Sequence, residues 1–226
     1  MLQPLAENLW LLHYPAPLLG DYLGRNVTVI RLRSGQIVLH STGPFTPEDV
    51  AAIQGLGQPG WLVDALSKHD TFAQQGRAAF PDLPYYAPAG FSEVVGFPTL
   101  SLGQPPTEWS GELECVHLNG MDPLDEYVFC HLPSRTLIVA DLVFNVTGDA
   151  PWLARVFASL GLIGGHDHNV GMSRPERSSV VNPDAFRASL AKMQSWDYDR
   201  VIVGHGEVIP TDGKQLVNSA LAAAGF

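Results

Sequence analysis

Thr136-Leu137-Ile138-Val139-Ala140-Asp141 is a short apolar run that ends on a carboxylate. Near the end of the chain, Arg200-Val201-Ile202-Val203-Gly204-His205-Gly206 has the same plan, with an imidazole in place of the carboxylate. Runs this short, apolar and β-branched read as buried strands. Groups just past the carboxyl ends of such strands are where sites gather in layered proteins of helices and sheets. His69, just past residues 61–66, and His40, at the end of residues 37–39, occupy the same kind of position.

The rest of the chain is read outward from these runs. Residues 26–32 and 37–40, joined through Ser34-Gly35-Gln36, predict a hairpin, and residues 8–16 a strand before it. Thr46-Pro47-Glu48-Asp49 opens a helix to about Leu56. Thr46 is its cap, Pro47 suits the first helical position, and the two acids favour the positive end of the dipole. A strand over 60–66, a helix over 72–80 and a short strand at Tyr85-Tyr86-Ala87-Pro88 follow. Residues 90–109, rich in glycine and proline, predict irregular chain. Residues 111–118 read as a strand, and 126–131 with 136–141 as a hairpin around Leu132-Pro133-Ser134-Arg135. Helices are predicted from Asp149-Ala150-Pro151 to about Leu160, from Asn182-Pro183-Asp184 to about Trp196, and after Asp212, taken as a cap. Residues 161–177 are read as a loop over a site. No repeat and no linker divides the chain, so it reads as one domain over 1–226. Strands grouped in hairpins with helices outside them indicate a layered sandwich rather than a doubly wound sheet.

With 46% hydrophobic and 16% charged residues, the 226-residue chain has ample material for a core. Its formal net charge of -10 repels phosphate backbones and anionic lipid, which argues against a nucleic-acid or membrane partner. Cys115 and Cys130 form no paired motif and read as small apolar residues on strands. The first twenty residues hold no Lys or Arg, which argues against a signal peptide, and no apolar run approaches membrane-spanning length. The expected location is the cytoplasm. Oligomeric state is not readable.

The Asp141 and His205 runs resemble the fourth and fifth motifs of the metallo-β-lactamase fold, and the order of hairpins around them is similar over most of the chain. That resemblance implies an α/β chain of the α+β type, folded as a four-layer αββα sandwich, in which Asp141 bridges two metals and His205 binds one. The other motifs depart from the family. Its H-x-H-x-D-H falls on Leu66-Ser67-Lys68-His69-Asp70-Thr71-Phe72. With His69 as the second histidine, Ser67, Thr71 and Phe72 stand where ligands belong. The third-motif histidine aligns with Met121, a poor ligand for a hard divalent ion, and the early strand-end aspartate aligns near Ser41. In detail the chain is similar to a subfamily of this fold that has a shortened second motif of adjacent histidines, then Phe-Pro and Tyr-Ala-Pro. Here His69-Asp70, Phe80-Pro81 and Tyr86-Ala87-Pro88 match it, with Asp70 in place of the second histidine. The run from His131 to Val139 and Asp141-Leu142-Val143-Phe144-Asn145 match as well.

A catalytic zinc site wants about three protein ligands plus a water. His69, Asp141 and His205 make one such set, with His40, His117, Asp70 and Asp122 as extras. Each has a structural alternative: His205 closing loops, Asp141 capping backbone N–H groups, His117 as a satisfied core residue within a strand. His131 is placed at the hairpin turn, because five strand pairs at ~3.3 Å per residue put it about 16 Å from Asp141. His166-Asp167-His168 reads as a solvated loop or a lid. Ser67 and Lys68 offer a nucleophile and a cation without a positioned base.

Two functions follow. The first is a metal-dependent hydrolase with one divalent ion (zinc, iron or manganese) that cleaves an ester, thioester, lactone or phosphoester. His69, Asp141 and His205 are its ligands and Asp70 a base or outer group. The second keeps the fold without a metal, as a module that binds a small molecule or a partner. A redox role with iron is a minor third.

Overall fold

A computed structural model describes residues 1–16, 20–164 and 170–226. Seven strands form the first sheet in chain order. They are β1 (Gln3–Ala6), β2 (Leu9–Ala16), β3 (Gly20–Arg31), β4 (Gln36–His40), β5 (Gln58–Val63), β6 (Tyr85–Ala87) and β7 (Leu100–Ser101). β1 to β4 are an antiparallel meander, and β4 to β7 run parallel. Parallel neighbours need crossovers, and three helices supply them: α1 (Pro47–Leu56), α2 (Ala73–Ala79) and α3 (Phe91–Val95). α1 starts as the sequence predicts: Thr46 accepts from the Asp49 backbone, and the Asp49 side chain accepts from the Thr46 N–H.

The second sheet has the order β13 (Arg200–Ile202), β10 (Thr136–Ile138), β9 (Tyr127–His131), β8 (Leu113–His117). β10 pairs antiparallel with β9 and parallel with β13. A small third pairing joins β11 (Phe144–Asn145) to β12 (Val170–Gly171). Four helices belong to this half: α4 (Trp152–Ser159), α5 (Arg174–Ser179), α6 (Pro183–Ser195) and α7 (Gly213–Ala224).

Side-chain alternation explains the layers. Tyr127 and Phe129 of β9, Ile138 of β10 and Ile202 of β13 join Val38, Trp61, Val63 and Trp109 in the core between the sheets. Their neighbours Val128, Cys130, Leu137 and Val201 face the other way, onto Phe186, Leu190 and Leu221 of α6 and α7. Leu39 and Leu62 pack outward on the first sheet against Ile53 and Phe91. Each central strand is therefore covered on both faces, which is why these segments are continuous apolar runs. The result is the expected four-layer αββα sandwich.

Several expectations are corrected. Residues 90–109 are not irregular: they hold α3, β7 and the buried Trp109. Gly90 and Gly96, both at positive φ, bracket α3, so the glycines mark the ends of an element, not its absence. Phe91 and Val95, four apart, drive its packing. β1 and β12 were not foreseen, and the stretch read as a loop over 161–177 contains the start of α5. Asp212 makes no side-chain cap; it sits at φ 58, and its backbone N–H donates to Asp199. His117 is a half-buried ion pair with Asp125, stacked on Tyr127, not a core residue. His131 lies at the hairpin turn as expected, bonded to Ser134. Cys115 and Cys130 are free thiols on β8 and β9. Among the described residues, no helix is long and apolar enough to cross a membrane.

Candidate metal centre

Three loops at carboxyl ends of strands meet at one edge of the sandwich. His69 follows β5; its N–H closes a turn onto the Leu66 carbonyl. Asp141 leaves the sheet just past β10. His205 follows β13, between Gly204 and Gly206, and Gly206 needs its positive φ of 87 to turn the chain under Asn145.

The ligand atoms of His69, Asp141 and His205 all lie within 4.8 Å of one another. His69 Nε2 is 3.3 Å and His205 Nε2 is 3.6 Å from the same Asp141 oxygen, Oδ1. The imidazole rings stand nearly perpendicular, 5.2 Å between centroids. His205 Nδ1 sits 3.0 Å from the Gly24 carbonyl and 3.2 Å from that of Leu23. Carbonyls only accept, so Nδ1 carries the proton and Nε2 presents a lone pair to Asp141. Burial, then the Arg25 cation, keeps His69 and His205 neutral against the pull of Asp141, with His69 pushed down to about 4. Burial would raise Asp141, but His69, His205 and Arg25 together hold it below the usual carboxylate range. The lone-pair side of His205 thus faces the Asp141 carboxylate, while His69 Nε2 lies within hydrogen-bond distance of the same oxygen. That arrangement suits a cation, and the donor set, two imidazoles and a carboxylate, suits zinc, iron or manganese.

Glycine at 204 is required by the same geometry. A Cβ there would come 2.5 Å from the Ala140 carbonyl oxygen and 3.1 Å from His69 Cε1. Gly204→Ala is expected to destabilise the fold by about 1–3 kcal/mol. A lower urea midpoint at unchanged slope would show it.

The other sequence candidates lie apart from this cluster. Asp70 is exposed at the start of a single turn, Asp70–Phe72. Asp122 is exposed. His40 is buried with Nε2 unpartnered, edge-on to Phe129, and burial pushes it down to about 3. His166, Asp167 and His168 fall outside the described residues. At the positions the sequence reading aligned with further ligands, the structure shows apolar packing or loop bonds. Phe72 is buried, Met121 packs against the core under α6, and Ser67 ties its loop to Pro123 and Asp125.

Sequence reasoning missed two buried groups facing the site. Arg25, 3% exposed, donates from Nη1 to Ser41 and leaves Nε unpartnered; its charge acts on Asp64, Asp141 and Asp70. Glu176 on α5 is 7% exposed, its Oε2 has no partner, and burial with the Asp141 charge pushes it up to about 8. Neither sits in a motif. The only local signal is Ser173-Arg174-Pro175-Glu176, a helix start with the cap that the structure shows.

No family sequence model matches the chain, and no curated protein matches it in sequence. Solved structures do match in shape over its whole length. The metallo-β-lactamase from Pontibacter korlensis is 12% identical over 100% of this chain and 98% of its own, with a TM-score of 0.68. The DIM-1 metallo-β-lactamase is 18% identical over 100% and 96%, with a TM-score of 0.67. This chain has the metallo-β-lactamase fold. A third structure of that fold, FIM-1 from Pseudomonas aeruginosa in its mono-zinc form, is 13% identical over 100% of this chain and 94% of its own, TM-score 0.65. At these identities the likeness concerns the fold, and the chemistry rests on the residues present.

Proposed function

We propose that this protein is a metal-dependent hydrolase whose single divalent ion is held by His69, Asp141 and His205. The observation that carries the reading is that His205 Nε2 lies 3.6 Å and His69 Nε2 3.3 Å from the same Asp141 oxygen, Oδ1. An ion there would supply Lewis-acid chemistry, polarising the bond to be cleaved and lowering the pKa of water toward neutrality. The chain's own groups do the rest. The Leu23 and Gly24 carbonyls fix the His205 tautomer. Burial, helped by the Arg25 charge, pushes both imidazoles down. Asp70, exposed and next to His69 in the chain but outside the ligand cluster, is assigned as a base or outer group. The substrate is an ester, thioester, lactone or phosphoester small enough to reach the edge of the sandwich.

A metal-free binding module is the second reading, favoured by the apolar packing of Phe72 and Met121. Metal analysis by mass spectrometry on protein purified without a histidine tag separates the two. About one equivalent of metal is expected. With excess zinc at 100 times Kd, the folded state should gain about 2.7 kcal/mol, reversed by a chelator. No uptake even after reconstitution would leave the module.

A further inference from the structure

We infer that Glu126 is the positioning residue of this centre, joining the loop that carries Asp141 to the loop that carries His69. The inference rests on the reading of these residues as ligands. Glu126 is fully buried at the start of β9. One carboxylate oxygen accepts from the Ala140 N–H at 2.8 Å and the other from the Asp141 N–H at 3.3 Å; the Leu142 N–H is a third donor.

These bonds answer a need set by the fold. β10 ends at Ile138 and Val139 N–H still reaches the Ile202 carbonyl, but from Ala140 the amides leave the ladder at a buried position, and buried N–H groups require acceptors. A carboxylate has four lone pairs and no proton to misplace. Burial and Asp141 push the Glu126 carboxyl up to about 8. All its hydrogen-bond partners are donors, however, so the ionised form is the one that fits them.

The backbone around Glu126 holds the other loop. Tyr127 N–H donates to Ala65 at 2.7 Å, Ser67 N–H donates to Asp125 at 3.0 Å, and Leu66 bridges to Glu126 itself. His69 then turns back onto the Leu66 carbonyl at 3.0 Å. The residues on either side of Glu126 are therefore bonded through their main chain to the His69 loop, while its own side chain is bonded to the Asp141 loop. The 3.3 Å separation of His69 Nε2 and Asp141 Oδ1 is set across it.

Glu126→Gln tests this best, because it keeps the shape while turning an amide NH2 toward N–H donors. Glu126→Ala removes the acceptor altogether. Zinc affinity is measured by chelator competition, ligand geometry from the visible spectrum of the cobalt(II) form, and amide hydrogen exchange on metal-free protein. In Glu126→Gln zinc affinity should fall 10- to 100-fold, with an altered cobalt spectrum. Exchange at Ala140, Asp141 and Leu142 should quicken at least about tenfold, while α1 and α6 keep wild-type rates. Wild-type affinity with unchanged loop exchange overturns the proposal. So does a general loss of protection in which residues 140–142 open no faster than the rest, the mark of a purely structural role. If wild-type protein takes up no zinc or cobalt, the ligand reading fails, and the exchange arm alone decides whether Glu126 clamps the loops.

Discussion

Asparagine in place of Asp141 is expected to weaken zinc binding about a thousandfold while leaving the chain folded. Asp141 Oδ1 is the atom that both imidazoles approach, and its carboxylate is the negative charge in a ligand set otherwise made of two neutral rings beside the Arg25 cation. Asparagine keeps the shape and removes that charge. At an effective dielectric near 20, a unit charge at ~4 Å is worth about 4 kcal/mol, about a thousandfold in Kd. The measurement is chelator-competition affinity, with circular dichroism as the control for folding. Affinity within threefold of wild type would mean that the ion, if bound, sits elsewhere.

Glutamine in place of Glu176 should stabilise the metal-free protein increasingly as pH rises. The Glu176 carboxyl is pushed up to about 8 by burial first and by Asp141 second, against about 4.5 in the unfolded chain. Between those values the folded state holds a proton that the unfolded state has lost. A raised folded pKa contributes stability that is fully present below about 4.5 and is lost as pH climbs through 8. At ~1.4 kcal/mol per pH unit, the loss across this window is on the order of 5 kcal/mol. Glu176→Gln carries no ionisable group, so its advantage over wild type should be small at pH 5 and approach that figure at pH 8.5. Urea unfolding of both proteins in a chelating buffer reads the gap directly. A gap independent of pH would show that the carboxyl ionises freely in the folded state.

Much of the fold is legible locally. Continuous apolar runs mark β4, β5, β9 and β13, because each is covered on both faces. The Thr46 cap, with Pro47 and Asp49 behind it, fixes the start of α1, and Ser34-Gly35-Gln36 fixes the first hairpin. These are effects of neighbours within a few positions, so the sequence records them. The stretch from 90 to 109 misleads for the same reason. Its glycines state where α3 begins and ends, but the burial of Phe91, Val95 and Trp109 that makes it ordered comes from strands far away in the chain.

The candidate site divides the same way. That Asp141, His205 and His69 each follow an apolar strand is written in the sequence. That their ligand atoms come within 4.8 Å is decided by the parallel pairings of β4 with β5 and of β10 with β13, and by the packing of one sheet on the other. Arg25, Glu126 and Glu176 were invisible beforehand because their importance lies in desolvation. A charged residue on a strand or a short helix is ordinarily solvated. Only tertiary packing removes the water, and with the water gone each is governed by the few groups it faces.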